Sequence, residues 1–217
     1  MARSWKAWKE PAQAGFFSPG VSRGRRHPKE RVHVDSHSRF DTARLRLDPL
    51  LPGDAAALFA YRGDDAVARY QGWKPASVAD AEAFIAGQGA VPFGTPDAWC
   101  QLAVRELASG ALLGDLGVHF PATTDDAIEF GVSLRPTAQG NGYAREAMAA
   151  MLGQAFGAWG YRRCVGSVDP RNEASIALLR SLGFRQEAHH VESYLFRGEW
   201  VDDVIYAMLA REWTGPG

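Results

Sequence analysis

Apolar and polar residues alternate in short segments from Thr42 onward, and this pattern predicts a folded domain. Leu45 and Leu47 alternate with Arg46 and Asp48, as expected of a half-buried strand. Similar alternation, or a short apolar run bounded by turn residues, predicts six more strands. These strands are residues 99–106, 112–120, 127–134, 163–168, 185–194 and 200–209.

Four helices are predicted between the strands. The first two begin at Asp54 and Ser77, which are typical N-cap residues, and extend to about residues 59 and 86. The third covers residues 142–159, where apolar side chains recur at four-residue spacing. The fourth begins at Asn172 and ends at Gly183, which predicts a left-handed C-terminal cap.

The predicted order is β-α-α-β-β-β-α-β-α-β-β without an internal repeat, which indicates one mixed α/β domain over residues 42–213. The composition of the 217-residue chain agrees, since 46% hydrophobic and 23% charged residues are ordinary globular values. Two cysteines are too few for a disulfide framework or a four-ligand zinc site, so no metal is expected. No apolar run approaches the ~20 residues of a membrane span.

The formal net charge of −1 conceals an uneven distribution. Residues 1–40 carry nine basic and three acidic side chains, a charge of +6. The remaining residues carry 15 basic and 22 acidic side chains, a charge of −7. Residues 1–41 also lack any helical or strand period, so we interpret them as a disordered basic arm. The arm is a solvated tail, the result of a start codon assigned too far upstream, or a segment that binds nucleic acid or an anionic surface. It lacks the apolar stretch of a secretory signal, and the expected location is the cytoplasm.

A strand, a glycine-containing loop and a long helix follow one another between Ile128 and Ala147. The first amide groups of a helix have no intrahelical partner, and the helix dipole is positive there. Gly140 and Gly142 let the loop backbone approach a ligand without interference from Cβ atoms. These features indicate a phosphate or pyrophosphate site, although a tight strand-to-helix turn would produce the same pattern. The loop matches neither a Walker loop nor the dinucleotide fingerprint.

Two sequence motifs about thirty residues apart resemble those of one enzyme family. The stretch Gln139-Gly140-Asn141-Gly142-Tyr143-Ala144 fits Gln/Arg-x-x-Gly-x-Gly/Ala, the acetyl-CoA pyrophosphate loop of GNAT N-acetyltransferases. Residues 172–184 resemble the second GNAT signature, in which an asparagine begins a helix that ends with Gly-Phe. The resemblance covers residues 42–213, including the order of elements, and looks closest to the RimJ/RimL-like branch.

The resemblance implies a GNAT fold, with a splayed, mostly antiparallel central sheet flanked by helices. Acetyl-CoA would bind where the strand at residues 129–134 parts from the strand at residues 163–168. Its pantetheine arm would pair with the first of these strands like an added strand. The residues implied in binding it are Val132, Ser133, Leu134, Gln139, Gly140, Asn141, Gly142, Tyr143, Ala144, Asn172 and Ser175.

Direct attack of an amine on the thioester requires a base for the amine and a proton for the departing thiolate. Glu129, beside the expected acetyl group, is the candidate base acting through water, and an ordinary exposed strand carboxylate is the alternative. Many GNAT enzymes carry a tyrosine acid seven residues after the signature asparagine, and that residue is Leu179 here. Ser175 and Tyr194 are the candidate substitutes for this acid.

Two aromatic residues, Tyr70 and Trp73, lie in the loop between the first two predicted helices. In the family that this chain resembles, this loop lies over the acceptor, so both are candidate substrate-binding residues. Simple core packing explains them equally well, because aromatic side chains anchor loops as often as they bind ligands.

The sequence therefore predicts an N-acetyltransferase that moves an acetyl group from acetyl-CoA to a primary amine, either a protein N-terminus or a small molecule. A catalytically degenerate CoA-binding module is the alternative, because the usual acid is missing. A third hypothesis is an interaction protein that acts through its basic arm. The expected partners are acetyl-CoA and the amine, with no membrane and with nucleic acid only through the arm. The sequence leaves open whether the protein forms a homodimer.

Overall fold

The computed structural model describes residues 39–121 and 127–215. The strands in chain order are β1 (Phe40–Asp41), β2 (Leu45–Pro49), β3 (Ala98–Glu106), β4 (Leu112–Phe120), β5 (Ala127–Leu134), β6 (Arg163–Val168), β7 (Arg185–Phe196) and β8 (Glu199–Leu209). The helices are α1 (Ala55–Arg62), α2 (Asp65–Ala68), α3 (Val78–Gly89), α4 (Tyr143–Gly153) and α5 (Glu173–Ser181). All strands join one sheet in the order β1-β2-β3-β4-β5-β6-β8-β7. The predicted mixed α/β fold class, with a splayed and mostly antiparallel sheet, is confirmed.

Two elements were not predicted, and two predictions lie outside the described residues. The short strand β1 pairs with β2, and its Phe40 ring packs edge-on against Trp159 with centroids 6.0 Å apart. The short helix α2 is capped by the Asp64 side chain, which accepts from the amides of Ala66 and Val67. The predicted turn at residues 123–126 and nearly all of the predicted basic arm are outside the described residues.

Two local predictions need correction. Asp54 precedes α1 but does not cap it, because its carboxylate accepts from the Leu51 amide and from the guanidinium of the buried Arg105. The helix predicted over residues 142–159 is α-helical only as far as Gly153, and residues 154–158 form a wider π turn. This turn carries the buried Trp159 into a group of aromatic rings. Its partners there are Phe40, Phe93 and Phe120.

The sheet opens between its two central strands. β5 and β6 run parallel and pair over three positions, of which Glu129 opposite Val165 is the last. Beyond that point β5 continues to pair with β4 as far as Leu134, and β6 continues to pair with β8 as far as Val168. Each strand is thus held by its antiparallel neighbour, and a gap widens between the two.

The helices divide between the two faces of the sheet. α4 and α5 cover one face, where Met148 and Leu179 pack in the main core with Ile128 and Cys164. α1 and α3 cover the other face and pack a smaller core against Ala103 of β3. The gap between β5 and β6 therefore has a different set of helices on each side. No helix within residues 39–121 and 127–215 has the length and apolar character needed to cross a membrane.

A buried carboxylate, Asp115 of β4, attaches α1 to the sheet. It is fully buried, forms an ion pair with Arg62 and accepts hydrogen bonds from Tyr61 Oη (2.5 Å) and from the Gln101 amide. Burial and the nearby Asp115 raise the pKa of Tyr61 well above its usual value, so its hydroxyl remains a donor. Arg62 also donates to Gln71 Oε1 (3.1 Å) in the segment after α2. The same ion pair therefore attaches this segment to the sheet as well.

We expect Asp115→Asn to lower the free energy of unfolding by about 3–5 kcal/mol, because it leaves the buried Arg62 charge without its counterion. Urea titration followed by circular dichroism measures the loss. The matched control is Asp65→Asn, which breaks the pair with Lys74 at a carboxylate that is 95% exposed and should change stability very little. Equal stability of the two variants would contradict this account of the anchor.

Candidate active site

A row of paired residues crosses four strands and reaches the point where the sheet opens. Trp99 pairs with His119, His119 with Glu129, and Glu129 with Val165, so their side chains share the face covered by α1 and α3. Burial lowers the pKa of His119 and outweighs the nearby Asp97 carboxylate, so the imidazole is neutral at pH 7. Glu129 is half-buried and lines the gap. The row thus positions the predicted base at the apex of the opening.

The predicted phosphate loop follows β5 directly and closes onto itself. The side chain of Gln139 donates to the Leu134 carbonyl (3.0 Å), and that of Asn141 donates to the Gln139 carbonyl (2.9 Å). Gly140 and Gly142 have φ values of 75° and 78°, a left-handed conformation that favours glycine. Because the polar side chains bind within the loop, what the loop presents to an anion is the amide groups at the start of α4.

Arg44, in the turn between β1 and β2, braces this loop from outside. Its guanidinium donates to the Asn141 carbonyl (3.0 Å), pairs with Glu146 (2.7 Å) and lies 4.5 Å from the centre of the Tyr143 ring. Burial opposes ionisation of Glu146, but hydrogen bonds from Thr42 and Arg44 outweigh it and lower the pKa of the carboxyl. Arg44 belongs to no sequence motif, so no local pattern marks it as part of the site.

The start of α5 forms the second wall of the gap. The Asn172 side chain accepts from the Ser175 amide (3.2 Å), which confirms the predicted helix start, and both residues line the cleft. Leu179, two turns further on, is 5% exposed and also lines it. A Cβ atom on Gly166 of β6 would lie 3.3 Å from the Leu179 side chain, so strand and helix pack closely here. The position of the family tyrosine therefore faces the cleft and is apolar.

The cleft between the two walls has a volume of about 1020 Å³, including solvent at its open mouth. Aromatic side chains and carboxylates line the cleft together with Glu129. They are Tyr70, Trp99, Phe196, Asp169, Asp202 and Asp203. The three aspartates come from β8 and the β6–α5 loop, and no sequence motif marks them.

The segment after α2 reaches across the mouth of the cleft. Tyr70 lines the cleft, and its hydroxyl donates to the Arg171 carbonyl (3.1 Å) on the opposite wall. Arg197, in the β7–β8 turn, donates to the Ala68 carbonyl (3.0 Å). Trp73 stacks on Phe84 with centroids 4.4 Å apart and lies outside the cleft lining. The two candidate substrate-binding aromatic residues therefore have different surroundings.

Of the remaining predicted site residues, some line the cleft and others do not. Val132 lines the cleft, whereas Ser133 and Leu134 are buried in β5 beyond it, toward the phosphate loop. Tyr143 and Ala144 form the first turn of α4 and are half-buried. Tyr194 of β7 is 8% exposed, packs near Phe196 with centroids 6.1 Å apart and does not line the cleft. Ser175 is thus the candidate acid that the structure brings next to the opening.

The site thus combines two diverging strands, a glycine loop at a helix N-terminus and a carboxylate at the point where the strands part. The family described as acetyltransferase (GNAT) domain matches residues 44–185. The chain belongs to the GNAT acetyltransferase family.

Individual relatives agree with this assignment. The uncharacterized N-acetyltransferase YnaD of Bacillus subtilis is 27% identical over 176 residues, which cover 80% of this chain and 98% of the relative. The ribosomal protein uS5-alanine N-acetyltransferase of Escherichia coli is 32% identical over 91 residues, 42% of this chain and 46% of that enzyme. A crystal structure of a GNAT-family acetyltransferase from Bacillus anthracis superposes with a TM-score of 0.72 at 22% identity, covering 81% of this chain and all of the other.

We expect Gly142→Ala to lower the free energy of unfolding by about 1–2 kcal/mol, because the new side chain is strained at a φ of 78°. Its Cβ atom would also lie 3.4 Å from the Arg44 guanidinium. The control is Gly153→Ala in the same helix, where φ is −58° and nothing lies within 4 Å, and a gain of about 0.5–1 kcal/mol is expected. Thermal unfolding measures both, and a stabilised Gly142→Ala variant would refute the strained-loop account.

Proposed function

We propose that this protein transfers an acetyl group from acetyl-CoA to a primary amine. The observation that carries the proposal is the gap beyond Glu129, where one edge of β5 has no neighbouring strand and leads directly to the glycine loop. A thioester with an extended, amide-containing arm and a pyrophosphate fits such a gap. Its amides would pair with β5 near Val132, and its phosphates would bind the amides from Gly140 to Ala144.

The proposed donor thus has a defined direction in the cleft. Phosphates at the start of α4 place the thioester near the apex, between Glu129 on one wall and Ser175 on the other. Asn172 orders the first turn of α5 and so positions Ser175. The acceptor amine then enters from the side of the sheet that carries α1 and the Tyr70 segment.

The reaction requires two proton movements. The neutral amine nitrogen bonds to the acetyl carbon, the carbon–sulfur bond breaks, and one amine proton leaves toward Glu129 through water. The departing thiolate gains a proton and becomes the free thiol. The products are an N-acetyl amine and CoA, so atoms and charges balance without another reactant.

A second candidate function is a CoA-binding module without turnover. The observation that favours it is Leu179, which lines the cleft where related enzymes carry a tyrosine acid. Both functions require the glycine loop and the gap, and they differ only in whether an amine becomes acetylated. Thiol release from acetyl-CoA over a panel of amines decides between them, since the module binds CoA and releases no thiol.

We expect Glu129→Gln to lower kcat/KM for the amine by about 100-fold or more, because general base catalysis contributes about 10²–10⁴-fold. The Kd for CoA, measured by calorimetry, should change less than about twofold, since the carboxylate lies at the acceptor side of the thioester. The control is Glu82→Gln, an exposed carboxylate of α3, which should behave as the wild type. A Glu129→Gln variant that keeps wild-type turnover would remove Glu129 from the mechanism.

We expect Arg44→Ala to weaken acetyl-CoA binding about tenfold, because hydrogen bonds to a charged group contribute about 1.5–3 kcal/mol and Arg44 orders the loop. Arg46→Ala is the matched control, since Arg46 is two residues away and pairs with Asp41 outside the loop. The KM for acetyl-CoA and the Kd for CoA report the change. Similar values for both variants would contradict the bracing role of Arg44.

A further inference from the structure

The cleft has an acidic lining. Four carboxylates line it, and within the described part of the chain no lysine, arginine or histidine does so. The four are Glu129, Asp169, Asp202 and Asp203. Arg171 pairs with Asp169 at the rim (2.6 Å). A reacting amine needs one carboxylate at most, and the other acidic groups have no role in the chemistry proposed above.

Asp203 is the most buried of these groups. It is 3% exposed, and Ser167 of β6 donates to its Oδ1 atom at 2.6 Å, which fixes the carboxylate on the wall of the cleft. Its neighbour Asp202 contacts the Glu192 amide and His189, and these contacts lower the pKa of its carboxyl. Asp202 is therefore ionised at neutral pH. β8 thus contributes two adjacent acidic residues to the lining of the cleft.

Asp203 and Glu129 face the same side of the sheet but lie apart. Glu129 is level with Val165 and Ala207, and Asp203 is four residues from Ala207 along β8. Two strand spacings and four residues correspond to roughly 16 Å between the Cα atoms of Glu129 and Asp203. Side chains that reach inward shorten the separation of the carboxylates. An acceptor that contacts both must be an extended molecule with its second charge several bonds from the reacting nitrogen.

Aromatic side chains also line the cleft. They are Tyr70, Trp99 and Phe196, and aromatic faces bind both methylene chains and cations. The Arg197 guanidinium already lies 5.1 Å from the centre of the Phe196 ring, an example of such a contact in this protein. Carboxylates at two positions in a cleft with aromatic side chains in its lining match a chain of methylene groups with a positive charge at each end.

The mouth of the cleft restricts the width of the acceptor. The hydrogen bond from Tyr70 to the Arg171 carbonyl joins the two walls, and Arg197 holds the segment after α2 in place. A slender aliphatic chain passes beneath this bridge more easily than a polypeptide with side chains. The bridge therefore favours a small molecule over a protein N-terminus.

We propose that the acceptor is an aliphatic diamine or polyamine, with one terminal nitrogen acetylated near Glu129 while a second ammonium group binds beside Asp203. The inference rests on the proposed acetyl transfer and adds the substrate class. The second ammonium is unchanged in the reaction, and its only role is to orient the chain. The phosphates would bind at the start of α4, on the β5 wall, and the second ammonium group would bind on the β8 wall, so each charge lies beside groups that complement it.

The test compares kcat/KM for 1,8-diaminooctane and n-octylamine, which differ in the second ammonium, and for an alanine-initiated peptide. We expect kcat/KM to be about tenfold or more higher for the diamine than for the monoamine. The reason is that attraction to an opposite charge in a partly buried site contributes at least about tenfold. Asp203→Asn keeps an acceptor for Ser167 but removes the charge, and it should reduce the preference to about threefold or less. Glu82→Gln, on α3, should retain it.

The outcomes separate this inference from the proposed function. Turnover with equal kcat/KM for the diamine and the monoamine overturns the diamine proposal and leaves acetyl transfer in place. A diamine preference that survives in Asp203→Asn, or a higher kcat/KM for the peptide, overturns it as well. CoA binding with no turnover on any amine contradicts the proposed function, and the diamine inference with it. Urea titration of Asp203→Asn verifies that the variant is folded.

Discussion

The structure depends on the limited pairing of β5 with β6. Three paired positions hold the two halves of the sheet together, and beyond Glu129 each strand follows its own antiparallel neighbour. Backbone amides and carbonyls along the gap lack the strand partner that every other central strand of the sheet has. An unpaired buried backbone group costs free energy, so such an edge is stable when water or a ligand binds it. The gap that interrupts the sheet therefore creates a surface that favours an extended, amide-containing molecule.

The two walls of that gap differ in charge, and the difference follows from which elements form each wall. On one wall β5 runs into the glycine loop and the start of α4, where amides without an intrahelical partner and the helix dipole favour an anion. On the other wall β8 and the β6–α5 loop contribute Asp202, Asp203 and Asp169. A donor with phosphates is attracted to the first wall, and an acceptor with ammonium groups is attracted to the second. The charges of the two walls thereby favour different positions for the two proposed substrates.

The sequence predicts features of this fold that depend on nearby residues. β4, β5 and β6 have the predicted bounds, because each strand is a short apolar run between clear turn residues. β1 and α2 have two and four residues, too few to show a period, and α2 depends on the single cap Asp64. The acidic lining of the cleft is not predictable from local patterns, since its carboxylates come from three segments that only the sheet topology brings together. Arg44 is unpredictable for the same reason, because its contacts with Asn141 and Glu146 are about 100 positions away in the chain.

The apolar residue Leu179 is compatible with the proposed chemistry. A thiol has a pKa of about 8.5, so a thiolate is a stable leaving group near neutral pH and needs little help from an acid. A primary ammonium has a pKa of about 10.4, and removal of its proton is the more demanding step. In the proposed reaction this proton leaves toward Glu129 and not toward the α5 wall, which carries Leu179. The loss of an acid on the α5 wall therefore affects the easier of the two proton transfers, and Ser175 or water is sufficient to complete it.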